Sequence, residues 1–212
     1  MKKPDLMVFD LDGTLIDSMR DLTVAINAMR THYGLAEVDR ATATTFVGNG
    51  AVNLVKRALG DCGAEFDAAL KYYRDYYAAH QLVHTVLYPG VAEGLAELRR
   101  NKVVLAVATN KPSSDAVAIL KALGVMDDLA AVSGGDAGVP LKPAPDVLLH
   151  FKERFHASEC WMVGDHYTDL EAGRRAGFFR VYARYGFGQP REETPDLVVD
   201  SFAGLVDAAL RG

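Results

Sequence analysis

Short apolar runs recur along the chain, separated by longer stretches in which apolar positions return every three or four residues. The runs Leu6–Phe9, Val103–Ala108, Leu129–Val132, Cys160–Val163 and Phe179–Ala183 are brief, and several are nearly unbroken. That is the signature of strands covered on both faces. Between them, Gly90–Arg100, Ser113–Leu123, Ala144–Phe155 and Thr168–Ala176 read as helices. Asp196–Val199 and Ser201–Leu210 add an edge strand and a closing helix. Regular strand–helix alternation predicts βαβ units, hence an α/β fold with a doubly wound parallel sheet.

One segment departs from this alternation. From Ser18 to about Val86 only helical periodicity is found, over Met19–His32, Arg40–Val47, Ala51–Leu59 and Glu65–His80. An all-helical block after the first strand predicts an inserted cap domain at 17–86, with a Rossmann-like core formed by 1–16 and 87–212. The joints fall near Ile16–Asp17 and Val83–Pro89.

Composition narrows the classes. Half of the 212 residues are hydrophobic, enough for a sizeable core, and the net charge of −5 speaks against a nucleic-acid binder. Small anionic ligands remain compatible, because local charge governs their binding. The two cysteines, Cys62 and Cys160, form no CxxC and are too few for a disulfide framework. Cys160 reads as a small core residue. The opening MKKPDLMVFD returns to charge too soon for a signal peptide, and no apolar run approaches the ~20 residues of a membrane span. The expectation is a cytoplasmic protein without membrane contact.

Candidate chemistry is set by strand position. In open parallel sheets ligands bind beyond the carboxyl ends of the strands. The residues there are Asp10 and Asp12, Thr109 and Asn110, Lys142, and Asp165 and Asp169. Crowded carboxylates imply a cation, and an all-oxygen set favours Mg²⁺. Lys142 and Thr109 suit a phosphate, as an ammonium and a hydroxyl donor. Gly13 allows a sharp bend that brings Thr14 and nearby N–H groups to the anion. In Asp10–x–Asp12, one carboxylate can attack phosphorus while the other handles the leaving group's proton. Taken singly, these residues have structural readings as turns, caps and exposed loops. Their joint placement at strand ends favours the functional one.

The four segments VFDLDGTL, VATNKP, LKPAP and VGDHYTDLEAGRRAG, in this order, resemble the motifs of haloacid dehalogenase superfamily phosphatases. The resemblance, with a helical cap after the first motif, covers nearly the whole chain. It implies Asp10 as nucleophile and metal ligand, and Asp12 as acid/base that also binds the ion through its carbonyl. It implies Thr109 and Lys142 as phosphate ligands with Asn110 beside them, Asp165 as a magnesium ligand, and Asp169 supporting the ion or orienting Lys142. An acid at position 12 disfavours dehalogenation and phosphonate cleavage, and Leu22 stands where mutase relatives carry a histidine.

Within the superfamily, TFVGNGAVNLVKRALG resembles the substrate loop and following helix of phosphoglycolate phosphatases. Gly48, Asn49 and Gly50 would reach the core, with Lys56 or Arg57 aiding anion binding. The implied activity is Mg²⁺-dependent hydrolysis of a small phosphorylated metabolite, 2-phosphoglycolate first. A pyrophosphatase, nucleotidase or broad sugar phosphatase, a phosphomutase and a non-catalytic phospho-acceptor are the alternatives. Oligomeric state stays open. His166 stands where a small polar residue is usual in the fourth motif. It could meet the ion's water shell or bond a loop carbonyl, and could add pH dependence near neutrality. Tyr72, Tyr73, Tyr76, Tyr77 and His80, at helical spacing, read as cap packing and surface.

Overall fold

The computed structural model describes residues 2–61 and 65–211, so Cys62 lies outside the described residues. Six strands form one parallel sheet: β1 (Leu6–Phe9), β4 (Val104–Ala108), β5 (Ala131–Ser133), β6 (Cys160–Gly164), β7 (Phe179–Ala183) and β8 (Leu197–Val199). Their order is β5-β4-β1-β6-β7-β8, with β1 central and paired in parallel to β4 and β6. The α/β class and the parallel sheet read from the apolar runs are therefore present.

Period-two alternation in the central strand assigns its faces. Met7 and Phe9 point into one apolar cluster, with Leu95, Ile119 and Phe202 from the helices α5 (Val91–Arg100), α6 (Ser113–Ala122) and α9 (Phe202–Leu210). Leu6 and Val8 point into the other, with Leu148, Phe151 and Ala172 from α7 (Asp146–Arg154) and α8 (Tyr167–Ala176). Cys160 is buried in this second cluster, and burial raises its thiol pKa.

The intervening helices are α1 (Met19–His32), α2 (Arg40–Thr44), α3 (Gly50–Leu59) and α4 (Phe66–His80). They share a third apolar cluster, in which Met19, Ile26, Val55, Tyr73 and Tyr77 meet. The helix expected over Arg40–Val47 stops at Thr44, where Thr45 and Phe46 form a turn leading into the loop before α3. The sequence also shows no sign of two short strands, β2 (Ile16–Asp17) and β3 (Val86–Leu87), which pair antiparallel where the chain leaves and re-enters the sheet domain. Two-residue strands carry no periodicity, and their pairing joins positions about 70 residues apart, so only the tertiary fold creates them. Among the described residues, no helix is long and apolar enough to cross a membrane.

A buried carboxylate fastens this crossing. Asp21, in the first turn of α1, accepts from the backbone N–H groups of His84 and Thr85 at 2.9 Å and from the Thr85 hydroxyl at 2.9 Å. Asp21→Ala leaves those donors without a partner in a buried place, at a cost of about 2–4 kcal/mol. Thermal unfolding should show a clear drop in melting temperature, and an unchanged midpoint would refute this role.

Candidate active site

The chain passes from β1 to β4 on one side and to β6 on the other, so the loops after these strands diverge and open a crevice. Asp10 directly follows β1, Thr109 follows β4 and Asp165 follows β6; Lys142 comes from the loop between β5 and α7. All four line a cavity of about 820 Å³, mouth included, together with Asp12, Asn110, Gly48, Gly50 and His166.

Its floor is charged. Lys142 Nζ is 2.9 Å from Asp10 Oδ1 and 2.6 Å from Asp169 Oδ1, with its side chain almost fully buried. The other oxygen of Asp169 accepts from His166 N at 3.1 Å. Both oxygens of Asp169 are thus engaged, and it holds Lys142 against Asp10. Asp165 Oδ2 accepts from Phe187 N at 3.0 Å and Gly188 N at 2.7 Å. Gly13, at φ +83°, is packed so tightly on this carboxylate that a Cβ would sit 1.9 Å from Oδ2. A glycine is therefore required for Asp165 to approach the β1 turn.

Burial raises the Asp10 carboxyl to about 6, against the pull of Lys142, with Asp169 and Asp12 adding to the rise. Burial also pushes Asp165 well up, helped by Asp169 and Asp10 and opposed by the two loop N–H groups. For Lys142, burial is outweighed by its two carboxylate neighbours, and its pKa is raised.

Four carboxylates, Asp10, Asp12, Asp165 and Asp169, stand against two ammoniums, Lys111 and Lys142. Oxygens of Asp10, Asp165 and Asp169 lie within 4.8 Å of one another, and the Lys142 ammonium is the one cation against Asp10 Oδ1 among the described residues. Excess negative charge and an all-oxygen donor set fit a hard divalent cation.

Asp12 turns away from this cluster. Ser18 Oγ donates to its Oδ1 at 2.5 Å, and Lys111 Nζ lies 3.0 Å from its Oδ2. Neither Ser18 nor Lys111 stands out in the sequence. Lys111 nevertheless adjoins Thr109 and Asn110 in the same short motif, and that adjacency was the available signal. Tyr77, assigned to cap packing, does belong to the helical cluster, but its hydroxyl also accepts from Lys111 Nζ at 2.8 Å.

Other candidates sit elsewhere than their motifs suggest. The Asn110 amide donates to Gly48 O at 3.1 Å and Lys142 O at 3.0 Å, and accepts from Lys142 N at 2.9 Å. With both amide hydrogens engaged, its side chain ties the Lys142 loop to the 47–50 loop and has none left for a phosphate. Asn49 and Arg57 do not line the cavity. Arg57 donates to Asn49 Oδ1 at 2.7 Å and Phe46 O at 3.1 Å, and Asn49 donates to the Tyr167 hydroxyl at 3.0 Å, so both brace the loop. Lys56 is also outside, 5.5 Å from the centre of the Phe66 ring. Thr14 is buried and its carbonyl accepts from the Tyr185 hydroxyl; its side chain does not line the cavity.

His166 takes a third role beside the two expected from sequence. It caps α8: its Nδ1 accepts from Thr168 N, while Asp169 bonds back to its own N–H. Its ring packs on Gly48, where a Cβ would come within 2.5 Å of Cε1. Burial lowers its pKa to about 4, so the expected titration near neutrality is corrected: the imidazole is neutral there.

A parallel sheet that gathers acidic groups and a buried ammonium at its carboxyl edge suits phosphoryl-transfer chemistry. The family model for haloacid dehalogenase-like hydrolases matches residues 4–177, and the chain belongs to that family. It is an enzyme, a phosphatase similar to phosphoglycolate phosphatases. The phosphoglycolate phosphatase of Chromobacterium violaceum is 37% identical, covering 100% of this chain and 99% of the relative. That of Psychrobacter arcticus is 38% identical, covering 97% and 96%. A solved structure described as a predicted phosphoglycolate phosphatase from Haemophilus somnus superposes with a TM-score of 0.92 at 30% identity, covering 98% and 99%.

Proposed function

We propose that this phosphatase hydrolyses 2-phosphoglycolate through a phosphoaspartate on Asp10, with Mg²⁺ as cofactor. The single observation that carries the mechanism is the separation of two carboxylates two residues apart. Asp10 lies in the acidic cluster beside Lys142, while the Asp12 carboxylate is aimed out of it by Ser18 and Lys111. The choice of substrate is supported by the full-length similarity to phosphoglycolate phosphatases.

Asp10 attacks phosphorus, and the P–O bond to the leaving group breaks. Asp12 delivers its proton to the departing oxygen, then takes one from the water that cleaves the Asp10 acyl phosphate. Lys142 and the Thr109 hydroxyl hold phosphoryl oxygens; Thr109 Oγ1 also accepts from Lys111 N at 3.2 Å, which fixes its position. Asp10 and Asp165, with the Asp12 carbonyl, would hold Mg²⁺, while Asp169 anchors Lys142. Bound there, the ion would offset phosphoryl charge in the transition state. Residues 17–86 act as a cap: Gly48 and Tyr77 contact Asn110, His166 and Lys111 of the core and exclude water from the reacting centre.

The test is phosphate release from 2-phosphoglycolate, pyrophosphate, nucleotides and sugar phosphates, each with Mg²⁺ and with EDTA. Metal-dependent release with highest kcat/KM for 2-phosphoglycolate is expected. Preference for sugar phosphates would discard the substrate, and full activity in EDTA would discard the cofactor.

A further inference from the structure

We propose that Lys111 and Tyr77 form the subsite for a carboxylate on the leaving group, and that this corner sets the enzyme's preference for short acidic phosphomonoesters. The inference rests on the phosphatase reading and adds the residues that select the substrate.

Unused donors point to a ligand at this corner. An ammonium has three N–H groups. Lys111 directs one toward Asp12 Oδ2 at 3.0 Å and one to the Tyr77 hydroxyl at 2.8 Å, and no acceptor for the third is found among the described residues. The Tyr77 hydroxyl accepts from Lys111, and its own hydrogen likewise has no acceptor there. Both side chains are more than nine-tenths buried and both line the cavity. The Lys111 ammonium also lies 4.4 Å from the centre of the Tyr77 ring, which adds attraction and restricts its position. Two fixed donors, one of them cationic, thus face the same cavity as Asp10.

Position decides what they meet. Asp12 serves the leaving oxygen, so whatever is bonded to that oxygen emerges beside Asp12 and therefore beside Lys111. In 2-phosphoglycolate the carboxylate carbon is two bonds from the ester oxygen, which brings a carboxylate oxygen within reach of the Lys111 ammonium and the Tyr77 hydroxyl. Lys142 displays the same bridging on the phosphoryl side, between Asp10 and Asp169. Arg74 and Asp115 also line the cavity and are opposite in sign, while Lys111 is the cation held against Asp12. Leu22, Val47 and Leu54 add apolar surface to the same cavity. A chain of sugar hydroxyls would find few partners there, and each unpaired polar group would weaken binding.

The corner joins two parts of the chain. Tyr77 belongs to α4 and Lys111 to the loop after β4, so the subsite is complete only when the helical segment sits on the sheet domain as it does here.

The experiment compares kcat/KM for 2-phosphoglycolate and for ethyl phosphate, which has the same reacting end but no carboxylate, in wild type, Lys111→Met and Tyr77→Phe. The ratio of the two constants cancels any effect of Lys111 on Asp12 itself. Wild type is expected to favour 2-phosphoglycolate, Lys111→Met to cut that preference by about 30–100-fold, and Tyr77→Phe by about 3–10-fold, the range of charged and neutral hydrogen bonds. If Lys111→Met does not fold, Tyr77→Phe decides, since it removes one oxygen only. An unchanged ratio in the variants overturns the subsite. Equal use of both esters by wild type overturns it while the phosphatase reading stands. Wild type inert toward both esters overturns the proposed function, and the subsite with it.

Discussion

Asp10→Asn is expected to lower phosphate release by about 10³-fold or more and, in the same protein, to raise the melting temperature measured in EDTA. The first effect comes from removing the proposed nucleophile, since an amide oxygen does not form the acyl phosphate. The second comes from the site's charge. Asp10 has a carboxyl pKa of about 6 in the folded chain against an ordinary value of 3.8. Between these values the native state binds more protons than the unfolded one, so stability falls as pH rises from about 4 to about 6 and stays reduced above. At pH 8 the ionised carboxylate therefore destabilises the metal-free fold by about 1–3 kcal/mol. Asparagine keeps the shape and removes the charge. The gain should be largest at pH 8, smaller at pH 5, and offset by Mg²⁺, which would stabilise the wild type more. Retained turnover would eliminate the covalent mechanism, and a lower melting temperature in EDTA would eliminate the charge argument.

Lys142→Met is expected to damage both stability and catalysis. The ammonium lies between Asp10 and Asp169. Without it, four carboxylates face Lys111 alone, and buried Asp169 keeps only the His166 N–H. Breaking a buried pair in this way costs about 3–5 kcal/mol, or about 10 °C in melting temperature for a chain of this size. Loss of the proposed phosphate ligand should cut kcat/KM by about 10²-fold or more. Added Mg²⁺ should recover part of the stability and little of the activity. Calorimetry together with a phosphate-release assay would check this; a midpoint within a degree of wild type and near-normal turnover would contradict it.

The parts of the molecule that were legible share a physical origin. The sheet was legible because β1, β4 and β6 are buried on both sides and so must be apolar, and because their flanking helices repeat at 3.6 residues. Asp10, Thr109 and Asp165 could be placed because each directly succeeds a strand, where a charged or hydroxyl residue interrupts the apolar run. Lys142 could be placed because it lies on the loop after β5.

Asn110, Arg57 and His166 were harder. Their residue types suit ligand binding, yet the Asn110 amide is spent on the carbonyl of distant Gly48, the Arg57 guanidinium on Phe46 and Asn49 of the loop before its own helix, and the His166 ring on capping its own helix at Thr168 while it packs on Gly48. Periodicity reports which face of an element is buried. It does not report what a polar side chain meets across the boundary between two elements.

By itself, then, the amino-acid sequence determined the α/β class, the parallel strands, the helical interruption and the order of acidic, hydroxyl and ammonium groups along the carboxyl edge of the sheet. These are local properties, written in the spacing of apolar residues and in the residue types at the strand ends. Tertiary structure alone decided that Ile16–Asp17 pairs with Val86–Leu87, that Asp21 fastens the crossing, that Asp12 is held by Ser18 and Lys111, and that Tyr77 completes a corner with Lys111. Each of these joins chain segments through a few polar contacts, and such contacts leave no period in the sequence because their partners meet only after the apolar faces have packed.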